Sequence, residues 1–386
     1  PEVGATEAVL DFTSLLPQLM TNKGATVTST IEVDVKANNR WASEDATVNR
    51  VYTLKCNKPE FSIVTNPGNF WCKEFSVDSC DIKTGDIETI SQKIQYQYRK
   101  KGDEQWIDCD RLVQFDDYPV DKQYQIRAVY REGIETEPVD VMLETPQQLP
   151  NSDMEEWYIE EKKKSGTWPF KDKTYYTFHP YAEGNASSSW WATNNDKAQG
   201  GTYALGIWYE GCFASCVSYT EDAHGGTKAA LMYLSGCGDG YANTAGTYVG
   251  GAMVGSLFIG TYDSGIIQGH DFDSRPTSMS FWYKYKPYNS DAFKVVVSLK
   301  NGDWEIATGT YEPAASSEED GEYGHATVDF NYTEPFEKAT SICVQFLASN
   351  KTSLSQSDFD LGTTITYPVI GDWTVHMGSI LKIDDI

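Results

Sequence analysis

Ser278-Met279-Ser280-Phe281-Trp282-Tyr283-Lys284-Tyr285-Lys286 is the stretch that decides the fold class. Met279, Phe281, Tyr283 and Tyr285 alternate with Ser280, Trp282, Lys284 and Lys286, the period-two pattern of a strand with one buried face. Further β-type runs follow at 293–299 (FKVVVSL), 326–332 and 341–349 (SICVQFLAS). No helix-period segment of useful length accompanies them, so the buried face of this sheet must meet a second sheet. The reading is all-β, with a large jelly-roll β-sandwich over residues 147–386.

Two carboxylate-bearing segments bracket that region, Pro150-Asn151-Ser152-Asp153-Met154-Glu155-Glu156-Trp157 and Gly378-Ser379-Ile380-Leu381-Lys382-Ile383-Asp384-Asp385-Ile386. A jelly roll brings its first and last strands together, so the strands of Glu155 and Ile383 are expected side by side in one sheet. Upstream, strand signals recur at 71–77, 93–99, 124–130 and 139–143, with Tyr124, Ile126, Ala128 and Tyr130 on one side of the third. That cadence reads as a small antiparallel sandwich over 59–146, and its Tyr124-x-Ile126-x-Ala128-x-Tyr130 strand resembles that of a fibronectin type III or immunoglobulin-like module. Pro146-Gln147-Gln148-Leu149-Pro150 is the linker, its two prolines unable to donate to a ladder. Residues 1–58 form a lead-in expected to pack on the next module. They hold a short helix at 7–20 broken by Pro17 and an alternating strand at 26–35.

Composition narrows the partners. The 31 Lys+Arg against 56 Asp+Glu leave a net charge of −25, which argues against nucleic acid, whose phosphates need clustered cations. No run approaches the roughly 18 apolar residues that span a membrane as a helix. The chain opens on Pro1, and reads as a mature or trimmed form whose signal peptide is out of view. Of the eight Cys, Cys212 and Cys216 are able to pair across a tight loop but not along an extended strand, where they would lie ~13 Å apart. Together with Cys237 and His224 they match no common zinc spacing.

Three constellations carry possible chemistry. Glu155 and Asp384, joined by loop carbonyls, offer the oxygen ligands that calcium needs; strand-end carboxylates without a metal are the alternative. Ser189-Trp190-Trp191-Ala192-Thr193-Asn194-Asn195, with Trp208 and Tyr209, offers a ring for a sugar's CH face and amides for its hydroxyls. Adjacent tryptophans face opposite ways on a strand, so Trp190 or Trp191 is expected at a rim, or else lodged under a loop. Finally, glycosidases need two carboxylates, and Glu210, Asp222, Asp239, Asp271, Asp273 and Asp291 are candidates that spacing does not sort. The five His are scattered, and no nucleophile elbow, zinc-protease helix or phosphate loop occurs. Asn185, Asn331 and Asn350 open glycosylation sequons, which matter only in a eukaryotic secretory host.

The strings LPNSDMEEW, SSSWWATNN, GSLFIGTY, FDSRPTSMSFWYKYKP, NSDAFKVVVSL and GSILKIDDI, in that order, resemble the carbohydrate metabolism domain family of gut Bacteroidetes over residues 147–386. The stretch from Pro59, with its WCKEFSV run, is similar to the fibronectin-like module that often precedes that domain. The resemblance implies a galactose-binding or lectin-like jelly roll in an exported protein, at the cell surface or in the periplasm. It also implies an outer-membrane lipid anchor beyond this chain. Carried over by motif, the positions it marks for carbohydrate are Trp191, Asn195, Arg275 of the Arg-Pro pair, and Asp291. Met154 stands where the family more often has an aromatic. The expected partner is a polysaccharide or oligosaccharide. Three readings stay open: a non-catalytic binding module, a glycoside hydrolase, and a structural or adhesive surface protein.

Overall fold

The computed structural model describes residues 27–37, 46–56, 59–131, 134–165, 172–199, 203–204, 207–208, 213–236, 252–263, 265–313 and 321–386. The chain divides into two compact units, Pro1–Glu144 and Thr145–Ile386. Both are all-β sandwiches.

In the first unit, Val27–Ala37 and Ala46–Cys56 form an antiparallel ribbon. The helix expected at 7–20 lies outside the described residues. Beyond the ribbon, Gln123–Arg131 pairs with Gln95–Lys100 on one side and with Val139–Met142 and Ile134–Glu135 on the other. Facing this sheet are two short pairs, Phe61–Val64 with Ser79–Ile82 and Glu74–Ser76 with Leu112–Gln114. Phe75, Tyr98, Phe115 and Tyr124 interlock at the centre, with ring centroids 5.1–6.2 Å apart. One element is unexpected: Ile87–Lys93 is a short helix. Asp86 caps it by accepting from Thr89 N at 3.3 Å, a local bond that hydrophobic periodicity over seven residues does not reveal.

The second unit holds two large sheets. One runs Trp191–Thr193, Ser256–Tyr262, Ser341–Leu347, Lys294–Asn301, Trp304–Tyr311, Asn331–Tyr332. The other runs Val217–Thr220, Ala229–Ser235, Gly371–Asp384, Ser278–Lys286, Gly324–Asp329. Ser278–Lys286 and Lys294–Asn301 are successive in the chain yet lie in different sheets, and so do Trp304–Tyr311 and Gly324–Asp329. The alternation in 278–286 places Met279, Phe281 and Tyr285 in the core. Phe281 meets Phe346 of the opposite sheet at 5.3 Å and Tyr285 meets Phe293 at 5.0 Å, so one apolar layer joins both sheets. Burying each phenylalanine contributes about 1.5–3 kcal/mol before entropy is counted.

The bracketing segments depart from expectation. Among the described residues Tyr158–Lys164 pairs only with Lys173–His179 in a separate two-stranded sheet, whereas Gly371–Asp384 lies inside the seven-stranded sheet. Turn chemistry is the reason. Asn151 and Met154 adopt φ of 49° each, and Asn151 Oδ1 accepts from Glu156 N at 2.9 Å. The segment is therefore a turn that drops Met154 into the core, fully buried, and not an opening strand. The two ends still meet: Ile386 N donates to Ser152 O at 2.9 Å, and Gln148 Nε2 donates to Ile386 O at 2.7 Å.

Candidate functional site

The tryptophan pair obeys the alternation rule, but with little ring left open. Trp191 is 1% exposed, and its Nε1 donates to Pro150 O at 2.8 Å. Trp190 is half-buried, with His270 stacked on it at 4.1 Å and 16°. Asn195 is equally internal: Nδ2 donates to Phe178 O and Val217 O at 2.9 and 2.8 Å, and Oδ1 accepts from Val217 N at 2.9 Å. Asn194 does the same for Val254 O and Ser256 N. The Asn-Asn pair thus replaces ladder hydrogen bonds where strands end, and an amide used in this way is closed to a sugar hydroxyl. The carbohydrate roles expected of Trp191 and Asn195 are corrected to core roles. The side chains of Trp208, Tyr209, Glu210, Cys212, Cys237 and Asp239 lie outside the described residues. The Cys216 thiol is buried, which pushes its pKa up to about 12, and it donates to Asn194 Oδ1 at 3.3 Å.

Asp291 is also an internal group, 2% exposed. It accepts from Ala292 N at 2.8 Å, Ser349 Oγ at 2.9 Å and Ser379 Oγ at 2.7 Å, tying the Lys294–Asn301 strand entry to both neighbouring segments. Its expected sugar contact is replaced by these three bonds. Of the other carboxylates considered for hydrolysis, Asp222 is held by two lysines, and Asp271 and Asp273 stand exposed.

Glu155 and Asp384 do come to one place. The loop between Val217–Thr220 and Ala229–Ser235 folds over the outer face of the second sheet, and both carboxylates grip it. Glu155 accepts from Thr227 N, Lys228 N and Thr227 Oγ1 at 2.5, 2.8 and 2.6 Å. Asp384, fully buried, accepts from His224 N at 2.7 Å and Gly225 N at 3.1 Å. Close approach demands glycine here: at Gly226, with φ +61°, a Cβ would lie 2.2 Å from Glu155 Oε1. Partial burial pushes the Glu155 pKa up, but the Thr227 and Lys228 hydrogen bonds outweigh it and hold the group below its ordinary value. Burial wins at Asp384, whose pKa is raised although the loop N–H groups pull the other way.

This clamp gathers residues that spacing along the chain had left scattered. Trp282 and Asp384 are cross-strand partners, and so are Trp282 and His325. His224 stacks on the Trp282 ring at 3.8 Å and 12°, while His325 lies against it at 4.9 Å. His224 Nδ1 is 2.6 Å from Asp385 Oδ2. Beside them Lys284 and Lys382 both reach Asp222, at 2.8 and 2.6 Å. The sequence signal was period two: Trp282 and Asp384 sit on the outward positions of strands whose inward positions are plainly apolar.

Of the two readings of Glu155 and Asp384, a calcium site and strand-end carboxylates without a metal, the donor arrangement does not fit calcium. A cation needs converging oxygen lone pairs, whereas N–H donors already point at both carboxylates. Among the described residues no group of three or more His, Cys, Asp or Glu is placed to hold a metal ion.

An aromatic surface lies instead at the tip of the hairpin Lys294–Asn301/Trp304–Tyr311. Trp304 is 68% exposed and is the single exposed tryptophan among the described residues. Phe336, 52% exposed, stands on the neighbouring Glu334–Glu337 turn, where Glu337 N donates to Glu334 O at 3.2 Å and Pro335 takes the position that favours proline. That turn is laid along the hairpin. Thr333 N donates to Ile306 O at 2.9 Å, Thr340 N to Lys300 O at 2.7 Å, and Asn301 Nδ2 to Glu337 Oε2 at 2.9 Å. Arg275, 3% exposed, donates from Nη1 to Pro335 O at 2.7 Å and reaches Glu337 O at 3.4 Å, the carbonyls on either side of Phe336. Arg275 is thus a brace beneath the surface and not a direct ligand for a sugar. The readable sign was Asn301-Gly302-Asp303-Trp304, a hairpin-turn signature that carries a tryptophan at its exit.

No family model and no curated protein matches this chain. Among the described residues no helix is long and apolar enough to cross a membrane, which says nothing of strands.

Proposed function

We propose that the second unit is a glycan-binding module of an exported protein, at the cell surface or in the periplasm, and that it binds without turnover. The observation that carries the reading is the exposure of Trp304 at the hairpin tip and of Phe336 on the neighbouring turn, which Arg275 fastens from beneath. Large aromatic rings left in water on a rigid support offer what a sugar's CH face needs, and Asn301 and the flanking carboxylates lie at hand for its hydroxyls. A rigid support matters because it leaves less conformational entropy to lose on binding. The family that the sequence resembles points the same way, as does the anchor that such proteins carry.

Affinity electrophoresis of the whole chain in gels containing xylan, mannan, starch or arabinogalactan tests it, followed by titration against a retarding polysaccharide. Trp304→Ala is expected to weaken binding about 5- to 150-fold, the range of about 1–3 kcal/mol for an anchoring ring. Phe336→Ala follows with a smaller loss, while Trp190→Ala leaves affinity unchanged. Equal affinity for wild type and both tip variants would remove the tip from the reading. Release of reducing ends by wild type would replace it with the glycoside hydrolase alternative.

A further inference from the structure

The tip has a charge pattern as well as rings. Asp303 and Glu305 flank Trp304 in the chain, and Glu334 and Glu337 bound the turn that carries Phe336; all of them are exposed. Lys300 and Lys338 are the lysines nearest in sequence to these two turns, and Arg275 lies buried beneath the Phe336 turn, so four exposed carboxylates stand against three cations, one of them out of solvent. Asn301 holds Glu337 in place at 2.9 Å, which fixes one of the charges beside the platform. The whole chain adds to this local field, with a formal charge of −25.

We infer that the tip discriminates by charge, taking neutral saccharides and rejecting glycans that carry uronate, sulfate or sialate groups. The inference rests on the glycan reading of the same surface and adds the class of ligand. Carboxylates do two things there. They accept hydrogen bonds from neutral sugar hydroxyls, a favourable role that needs no cation. They also repel an anionic sugar ring held against Trp304, because like charges within about one Debye length are screened only in part at physiological salt. Exposed charges act weakly one at a time, so the discrimination comes from several acting together, and it fades as salt rises.

The test uses matched probes: a hexose polysaccharide, starch or mannan, that retards the wild-type chain, and the same polymer after oxidation of its free primary hydroxyls at C6 to uronate. At low ionic strength the oxidised form is expected to bind on the order of tenfold more weakly, with the gap closing toward 1 M salt. The double variant Asp303→Asn/Glu305→Gln is expected to regain several-fold affinity for the oxidised polymer while changing the neutral one less. Quenching of Trp304 fluorescence, lost in Trp304→Ala, confirms that both polymers are read at the tip. Equal binding of the two forms by wild type at low salt overturns the inference while leaving glycan binding intact. So does a double variant that shifts both polymers by the same factor. If wild type retains no polysaccharide of either form, the glycan reading fails, and the charge discrimination falls with it.

Discussion

Two places in the second unit combine a tryptophan with carboxylates, and they do opposite things with the ring. At the clamp, Trp282 is covered by His224 at 3.8 Å and flanked by His325, and the surrounding carboxylates are saturated by loop N–H groups and lysines. At the hairpin tip, Trp304 is 68% exposed, and Arg275 braces the neighbouring turn of Phe336 from beneath. The difference is one of hydrogen-bond direction. Clamp carboxylates point inward at the protein's own donors, so that region closes on itself and holds the two ends of the unit. Tip groups brace a turn and leave ring faces to solvent. Residue type alone therefore does not say which ring stays open; the direction of the surrounding hydrogen bonds does.

Asp384→Ala gives the largest expected effect. It removes the acceptor of the half-buried loop N–H groups of His224 and Gly225, and each lost hydrogen bond to a charged group costs about 1.5–3 kcal/mol at most, so a loss of roughly 2 kcal/mol in urea unfolding is expected. Polysaccharide affinity of the folded variant is expected to be unchanged. If instead glycan binding disappeared at denaturant concentrations where the variant is folded, the clamp would belong to the binding surface and the contrast would break.

Arg275→Met sharpens the other side. The change keeps an apolar stem but removes the donors to Pro335 and Glu337 carbonyls, so a cost of about 1–3 kcal/mol is expected. Binding is expected to weaken in the same variant, because the Phe336 turn loses its brace. Trp304→Ala, in contrast, is expected to lie within about 0.5 kcal/mol of wild type in stability. A stable Arg275→Met protein with full affinity would show that the turn holds its shape without the guanidinium.

Acid should separate the two clamp carboxylates. Glu155 has a folded-state pKa below its ordinary 4.5, so its stabilisation is complete above that value and is lost as pH falls through the folded value. Asp384 has the opposite sign: its folded-state pKa is raised above 3.8, so its burial opposes folding at neutral pH and is relieved as pH falls through the raised value. Melting temperatures from pH 7 to pH 3 are expected to show the Glu155→Gln deficit shrinking with acid. The Asp384→Asn variant is expected to compare most favourably with wild type at neutral pH. Parallel curves for wild type and both variants would mean that neither carboxylate titrates differently on folding.

The sequence made the sheets readable and the surface hard to read. Ser278–Lys286 appears as read because one face of that strand is covered and the other is not, a condition that writes itself into alternation. Trp191 and Asn195 misled because a buried asparagine that replaces ladder bonds has the same letter as one that meets a ligand. The bracketing carboxylates were found together, yet through a loop and not a ladder; Asn151 and Met154 at φ 49° redirect the chain, and a methionine carries no mark of that conformation. The sequence does not mark the surface at Trp304, because its neighbours are turn residues, and turn residues say nothing about what is packed behind them. Only the fold brings Arg275 under Phe336.

Calcium gives the smallest expected effect, and it probes the same hydrogen-bond direction. For an ion to bind at Glu155 and Asp384, their oxygens would have to exchange the Thr227, Lys228, His224 and Gly225 N–H donors for metal, and those donors would then be left facing a cation. The buried position of Asp384 adds to the cost, since its carboxyl already favours the protonated form more than an ordinary aspartate does. Binding confined to the folded state would raise the melting temperature by mass action, by about 2.7 kcal/mol of stability at a hundredfold excess over Kd. The expected result is no shift with millimolar calcium and none with chelator, at low salt and neutral pH. A rise with calcium that Glu155→Gln abolishes would show the loop opening to exchange its N–H donors for an ion, and the clamp would then be a site after all.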